Sequence, residues 1–130
     1  MFYPYQHNLG DVPVMHQPSG AIVVHPGTAL TMTGGKLALA TGTTKPTYIS
    51  LYEGGDAAVE DGKVIPVEPV YPSTVFETTL TEASASLKAG TAYTISADGA
   101  SITTTTADGV AEVVNFDGKA VGDKVRVRFA

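Results

Sequence analysis

From residue 21 onward, apolar and polar residues alternate in short runs, and the runs are separated by glycine, proline or Asp-Gly pairs. Residues 21–24 form a brief β-branched run closed by Pro26 and Gly27. Residues 29–33 and 36–41 flank Gly34 and Gly35. Glycine tolerates the positive φ of tight primed turns, so this pair predicts a hairpin. Residues 47–52 give another strand, with Ile49 and Leu51 on one side and Tyr48, Ser50 and Tyr52 on the other. Residues 63–71 are β-branched but interrupted by Pro66 and Pro69. Proline cannot donate to a ladder, which predicts an edge strand or an irregular crossing segment there. Further strands are predicted at 75–80, 92–96, 101–106, 111–116 and 124–129, the last four separated by Asp98-Gly99, Asp108-Gly109 and Asp117-Gly118. In the final run Val125, Val127 and Phe129 point inward. Only residues 81–88 could form a helical turn or two. The pattern predicts an all-β domain over residues 21–130: a compact β-barrel or β-sandwich of short antiparallel strands with at most one short helix. One echo stands out: the run from Gly27 to Thr33 matches that from Gly90 to Ser96, which suggests the same lead-in to a hairpin used twice within one sheet system.

Residues 1–20 follow no such period. Pro4, Pro13 and Pro18 restrict the backbone and remove donors, so this stretch reads as an extended N-terminal arm. It is nevertheless too apolar for a solvated tail. Phe2, Tyr3, Tyr5, His7, Leu9, Val12, Val14 and Met15 are its candidate contact residues. Two placements are open: the arm docks on a partner, or it packs back on its own domain as an edge segment.

Composition narrows the function. The chain has 130 residues, enough for one domain without a metal or disulfide, and no cysteine. Charged residues make up 16%, below the usual quarter or so. Such a surface is expected where partners cover much of it. The net charge of -5 and the lack of a basic stripe argue against nucleic acid. Lys124, Arg126 and Arg128 read instead as the solvated face of one strand. No apolar run is long enough to span a bilayer, and no secretory signal is expected after Met1.

Catalytic constellations are missing from the sequence. His7, His16 and His25 lie nine residues apart, which gives neither a metal-ligand spacing nor a shared face. The carboxylates sit in loops, mostly beside glycine, where they serve turns. No phosphate-binding glycine motif occurs. The expectation is a protein-binding module with no enzymatic activity, no cofactor and no metal.

The segments HPGTALTMTGGKLALATGTTKPTYISL (25–51) and LKAGTAYTISADGASITTTTADGVAEVVNFDGKAVGDKVRVRF (87–129) resemble the small head decoration, or cement, proteins of tailed bacteriophages. The resemblance implies a virion protein on the outer capsid surface, assembled in the host cytoplasm. It implies binding to the major capsid protein lattice, commonly as a homotrimer. It further implies that the arm touches the coat protein, often by strand addition, with side chains filling pockets. Phe2, Tyr3 and Tyr5 would be the anchors. The three prolines depart from that pattern, because they interrupt any long ladder. A carbohydrate-binding or adhesion module using Tyr48, Tyr52 and Tyr71, or a tail or neck subunit, are the alternatives.

Overall fold

The structure, a computed structural model, describes residues 1–6 and 13–129. Ten short strands build two five-stranded antiparallel sheets, with no helix among the described residues. The strands are β1 (Tyr3–Gln6), β2 (Met15–Pro18), β3 (Ala29–Thr33), β4 (Lys36–Leu39), β5 (Tyr48–Ser50), β6 (Val64–Pro69), β7 (Val75–Thr79), β8 (Ala92–Tyr93), β9 (Ala111–Phe116) and β10 (Lys124–Arg128). Sheet A has the order β1-β7-β10-β9-β8, and sheet B has the order β2-β6-β5-β3-β4. The arrangement is a sandwich rather than a closed barrel. Sheet B does curl, however. Just beyond β2, Ser19 bridges Leu37 of β4, and the Gly20 N–H reaches the Leu37 carbonyl at 3.0 Å.

Two apolar clusters follow from the alternation. Between the sheets, Phe76, Val113, Val125, Val127 and Phe129 of sheet A and the segment after it meet Ala29, Ala40 and Ile49 from the sheet B side. The opposite face of sheet B carries Leu30, Leu37, Ile65 and Val67. Val24 and Val59 cover it. They come from segments without regular structure, which are tied together by Gly54 N–H to Val24 O and Val59 N–H to Ile22 O, both 2.9 Å. Residues 21–24 are therefore a cover for a second core, not the predicted strand.

The N-terminal segment is part of both sheets. β1 is the edge of sheet A beside β7, and β2 is the edge of sheet B beside β6. Of the two placements open from sequence, packing back as an edge segment holds for residues 3–6 and 15–18. Phe2 is fully buried, with its ring 5.2 Å from Phe129 in an edge-on contact. Its N–H donates to the Gly27 carbonyl at 2.7 Å.

Three strand expectations need correction. β6 is an interior strand, flanked by β2 and β5, despite its two prolines. Pro66 lies opposite Leu51, just past the end of β5, and still accepts the Leu51 N–H at 3.1 Å; Pro69 closes the strand. A missing donor costs little where the neighbouring strand has stopped. The run 92–96 shortens to β8, and 101–106 forms no strand, only bridges from Ile102 to Leu80 and Ile95. There Thr103 Oγ1 accepts the Thr105 N–H at 3.0 Å, a local bond that competes with a ladder. Lastly, the two echoed segments enter different sheets, β3 in B and β8 in A.

Candidate protein-interaction surface

Strand alternation separates the aromatic anchors. Phe2 points inward, while Tyr3 and Tyr5 stand 52% and 54% exposed on the outer side of β1. Tyr3 pairs with Glu77 and Pro4 with Phe76, after which the register slips so that Gln6 meets Val75. This bulge leaves Tyr5 on the outer face, its ring 4.8 Å from the Arg126 guanidinium carbon. Edge bulges and prolines hinder indiscriminate strand pairing. The edge is thus suited to recognition by side chains more than by a long ladder.

Beneath the tyrosines lies an ion-pair network on the outer face of sheet A. Arg126 bonds Asp117 at 2.5 Å and Glu77 at 3.0 Å, and reaches Asn115 at 3.3 Å. The hydrogen bond that Arg126 donates to Asp117 raises its pKa further against the opposing effect of burial, so the guanidinium stays charged. Lys124 sits 3.5 Å from Glu77, and Arg128 pairs with Glu112 at 2.8 Å. The three basic residues of β10 thus line the solvent face, as the alternation predicted, but each has an acidic partner on a neighbouring strand or turn. A groove of about 200 Å³ opens beside Tyr3, lined by Met1, Glu77, Thr78, Thr79 and Lys124. It is large enough for a side chain from a partner, and smaller than pockets that enclose drug-sized ligands.

The other predicted arm residues divide. Val14 and Met15 are 55% and 37% exposed at the sheet B edge, in the opposite sheet from Tyr3 and Tyr5. His7, Leu9 and Val12 lie outside the described residues. Phe2 cannot serve as a surface anchor, because burial against Phe129 commits its ring to the core. The residues that sequence reasoning missed are the acidic partners Glu77 and Asp117, which fix the platform under Tyr5. Their pairing depends on cross-strand register between distant segments, a signal absent from local pattern.

The fold of this sandwich has a counterpart among phage structural proteins. It matches the head fiber gp8.5 N base in bacteriophage phi29. The TM-score to that crystal structure is 0.56, over 92% of this chain and 95% of the other, with 15% sequence identity. No family model and no curated protein matches the sequence. The resemblance to phage head proteins read from the sequence is thereby met at the level of fold, with a head fiber base as the structural neighbour.

Elsewhere, His25 Nδ1 lies 2.6 Å from Glu53 Oε1, and its Nε2 lies 3.8 Å from Asp56. The two carboxylates lie against opposite nitrogens of the ring and do not converge on a common point. A Gly55 N–H and the His25 contact together hold Glu53 below its ordinary pKa. Among the described residues no group of three or more His, Cys, Asp or Glu is arranged to hold a metal. The tyrosines that a glycan site would use are half-buried: Tyr48 accepts a bond from Gln17 at 3.2 Å, and Lys63 sits 5.5 Å over the Tyr52 ring.

Proposed function

We propose that this chain is a non-enzymatic structural protein of a bacteriophage head, which decorates and stabilises the capsid by binding the major capsid protein lattice as a homotrimer. The observation that carries this reading is the fold shared with the phi29 head fiber base across nearly the whole of both chains. The exposed pair Tyr3 and Tyr5 supplies the contact chemistry, with Val14 and Met15 on the neighbouring sheet edge. Tyrosine buries a large area with few rotatable bonds, and aromatic residues dominate interface hot spots. Arg126 holds Tyr5 in place from below, so part of the ordering cost is met before binding.

The role would be mechanical. Each copy joins neighbouring coat subunits on the outer surface, and the added contacts must break before the shell can open. Three copies held together bind through three edges at once, which raises avidity by orders of magnitude when the geometry allows. The test is binding of Tyr3→Ala, Tyr5→Ala double-variant protein to expanded shells that lack the decoration. Binding about tenfold or more weaker than wild type, with an unchanged circular dichroism spectrum, supports the reading. Equal binding by the double variant removes the tyrosine edge from it.

A further inference from the structure

Four Asp-Gly pairs punctuate the chain: Asp61-Gly62, Asp98-Gly99, Asp108-Gly109 and Asp117-Gly118. Such pairs are open to rearrangement, because glycine has no side chain to shield its amide from the aspartate carboxyl. The fold restrains three of them. Asp61 pairs with Lys36 at 2.7 Å, and the Gly62 N–H donates to the Ser19 carbonyl at 2.7 Å. Asp98 Oδ1 accepts the Ser96 hydroxyl at 2.6 Å and the Ala100 N–H at 3.0 Å, while buried Gly99 donates to the Ser96 carbonyl at 3.0 Å. Asp117 lies in the Arg126 fork, and Gly118 has no room for a Cβ beside the Asp123 carboxylate. Asp108 differs on each count. It is exposed, and its carboxylate makes no hydrogen bond or ion pair with a described residue. Among the described residues it is also the only non-glycine with a positive φ, 54°. The turn Thr106–Gly109 closes through the Gly109 N–H and the Thr106 carbonyl at 3.1 Å, a longer bond than those on Gly62 and Gly99. Its third residue takes the left-handed conformation that suits glycine or asparagine.

We infer that Asp108 is a site of spontaneous covalent modification, the rearrangement of its peptide link to isoaspartate. The Gly109 amide nitrogen forms a bond to Asp108 Cγ. The protonated carboxyl gives up its hydroxyl and the amide its proton, and the two leave as one water. The five-membered succinimide so formed then takes up one water. Opening at the former side-chain carbonyl restores aspartate. Opening at the former main-chain carbonyl leaves the chain running through Cβ and Cγ, with the carboxylate on Cα. Water is the only other reactant. In the isoaspartyl link the crowding of Cβ against the following carbonyl, which strains a left-handed residue, is gone. The extra main-chain atom enters a turn without slack. Gly109 has no room for a Cβ against the Ala92 carbonyl, and Val110 donates to the Tyr93 carbonyl at 3.1 Å. Rearrangement therefore loosens the β8–β9 edge of sheet A.

The test ages the full chain at neutral pH, folded in one series and unfolded in guanidinium chloride in the other. Isoaspartate at each Asp-Gly pair is then counted by tandem mass spectrometry that separates the two linkages. In the folded chain Asp108 should convert about tenfold or more faster than each of the other three, a factor that relief of left-handed strain supplies. In the unfolded chain the four pairs should convert at similar rates. Arg126→Ala should raise conversion at Asp117 and leave that at Asp108 unchanged. Amide exchange at Val110 should quicken as the wild-type chain ages. Asp108→Gly, which suits the left-handed turn, should hold that exchange constant. Equal conversion of all four pairs in the folded chain, a lead by another pair, or no isoaspartate at Asp108 would overturn the inference. So would an equal lead of Asp108 in the unfolded chain, which would take the turn out of the cause. The measurements use the isolated chain, so their outcome does not depend on the capsid reading.

Discussion

Each sheet has five strands, and each takes one edge from the first eighteen residues, yet the two sheets treat their second faces differently. Sheet A turns its second face to water and covers it with ion pairs built on Glu77, Asp117, Glu112 and the three bases of β10. Sheet B covers its second face with irregular chain, sealing Leu30, Ile65 and Val67 under Val24 and Val59. Ion pairs at a surface contribute little to stability but keep it soluble and specific. Buried apolar side chains contribute much more. The difference teaches that the stability of this protein resides between the sheets and beneath the irregular cover, while the outer face of sheet A is free to be shaped for recognition.

The largest effect should come from the core shared by both sheets. Phe2→Ala removes a fully buried ring from contact with Phe129 and should cost about 3–5 kcal/mol in urea unfolding. A loss below about 1 kcal/mol would show that β1 docks only loosely. The smaller cluster should respond less. Val59→Ala should cost about 1–2 kcal/mol and speed amide exchange at Gly54 and Val59, whose N–H groups bond to Val24 and Ile22. If it cost as much as Phe2→Ala, the two clusters would be one cooperative core.

Much of the fold was legible because its signals are local. The hairpin of β3 and β4 across Gly34-Gly35, the bounds of β9 and the inward row Val125, Val127 and Phe129 all follow from periodicity and turn chemistry. What escaped depends on distant partners. β6 is interior because its prolines fall where neighbouring strands end, and local sequence does not show where those strands stop. Residues 21–24 look like a strand by composition, but their partner is the Leu30–Val67 face. Within the candidate surface, the arm's aromatic content was legible. The division of labour between Phe2 and the two tyrosines was not, because it requires knowing that β1 pairs with β7.

Acid should act on the loop around Glu53, where the carboxylate meets His25. Glu53 is held below its ordinary value near 4.5 by the Gly55 N–H and by His25. The unfolded chain therefore takes up this proton at higher pH than the folded one does. The stabilisation is present above about pH 4.5 and is lost as pH falls below it. Glu53→Gln should flatten the dependence of the melting temperature on pH in that window, and an unchanged slope would remove Glu53 from the account. The smallest effect belongs to the outer face of sheet A: Arg128→Ala, which breaks an exposed pair with Glu112, should change stability by less than about 1 kcal/mol.

Whether this sandwich belongs on a phage shell is decided most directly by mixing purified wild-type chain with expanded capsids that lack it and pelleting the shells. The account predicts saturable co-sedimentation at a fixed ratio to coat subunits, with added density at equivalent lattice positions in electron micrographs. Protein that stays in the supernatant at every concentration, while remaining folded, would contradict it.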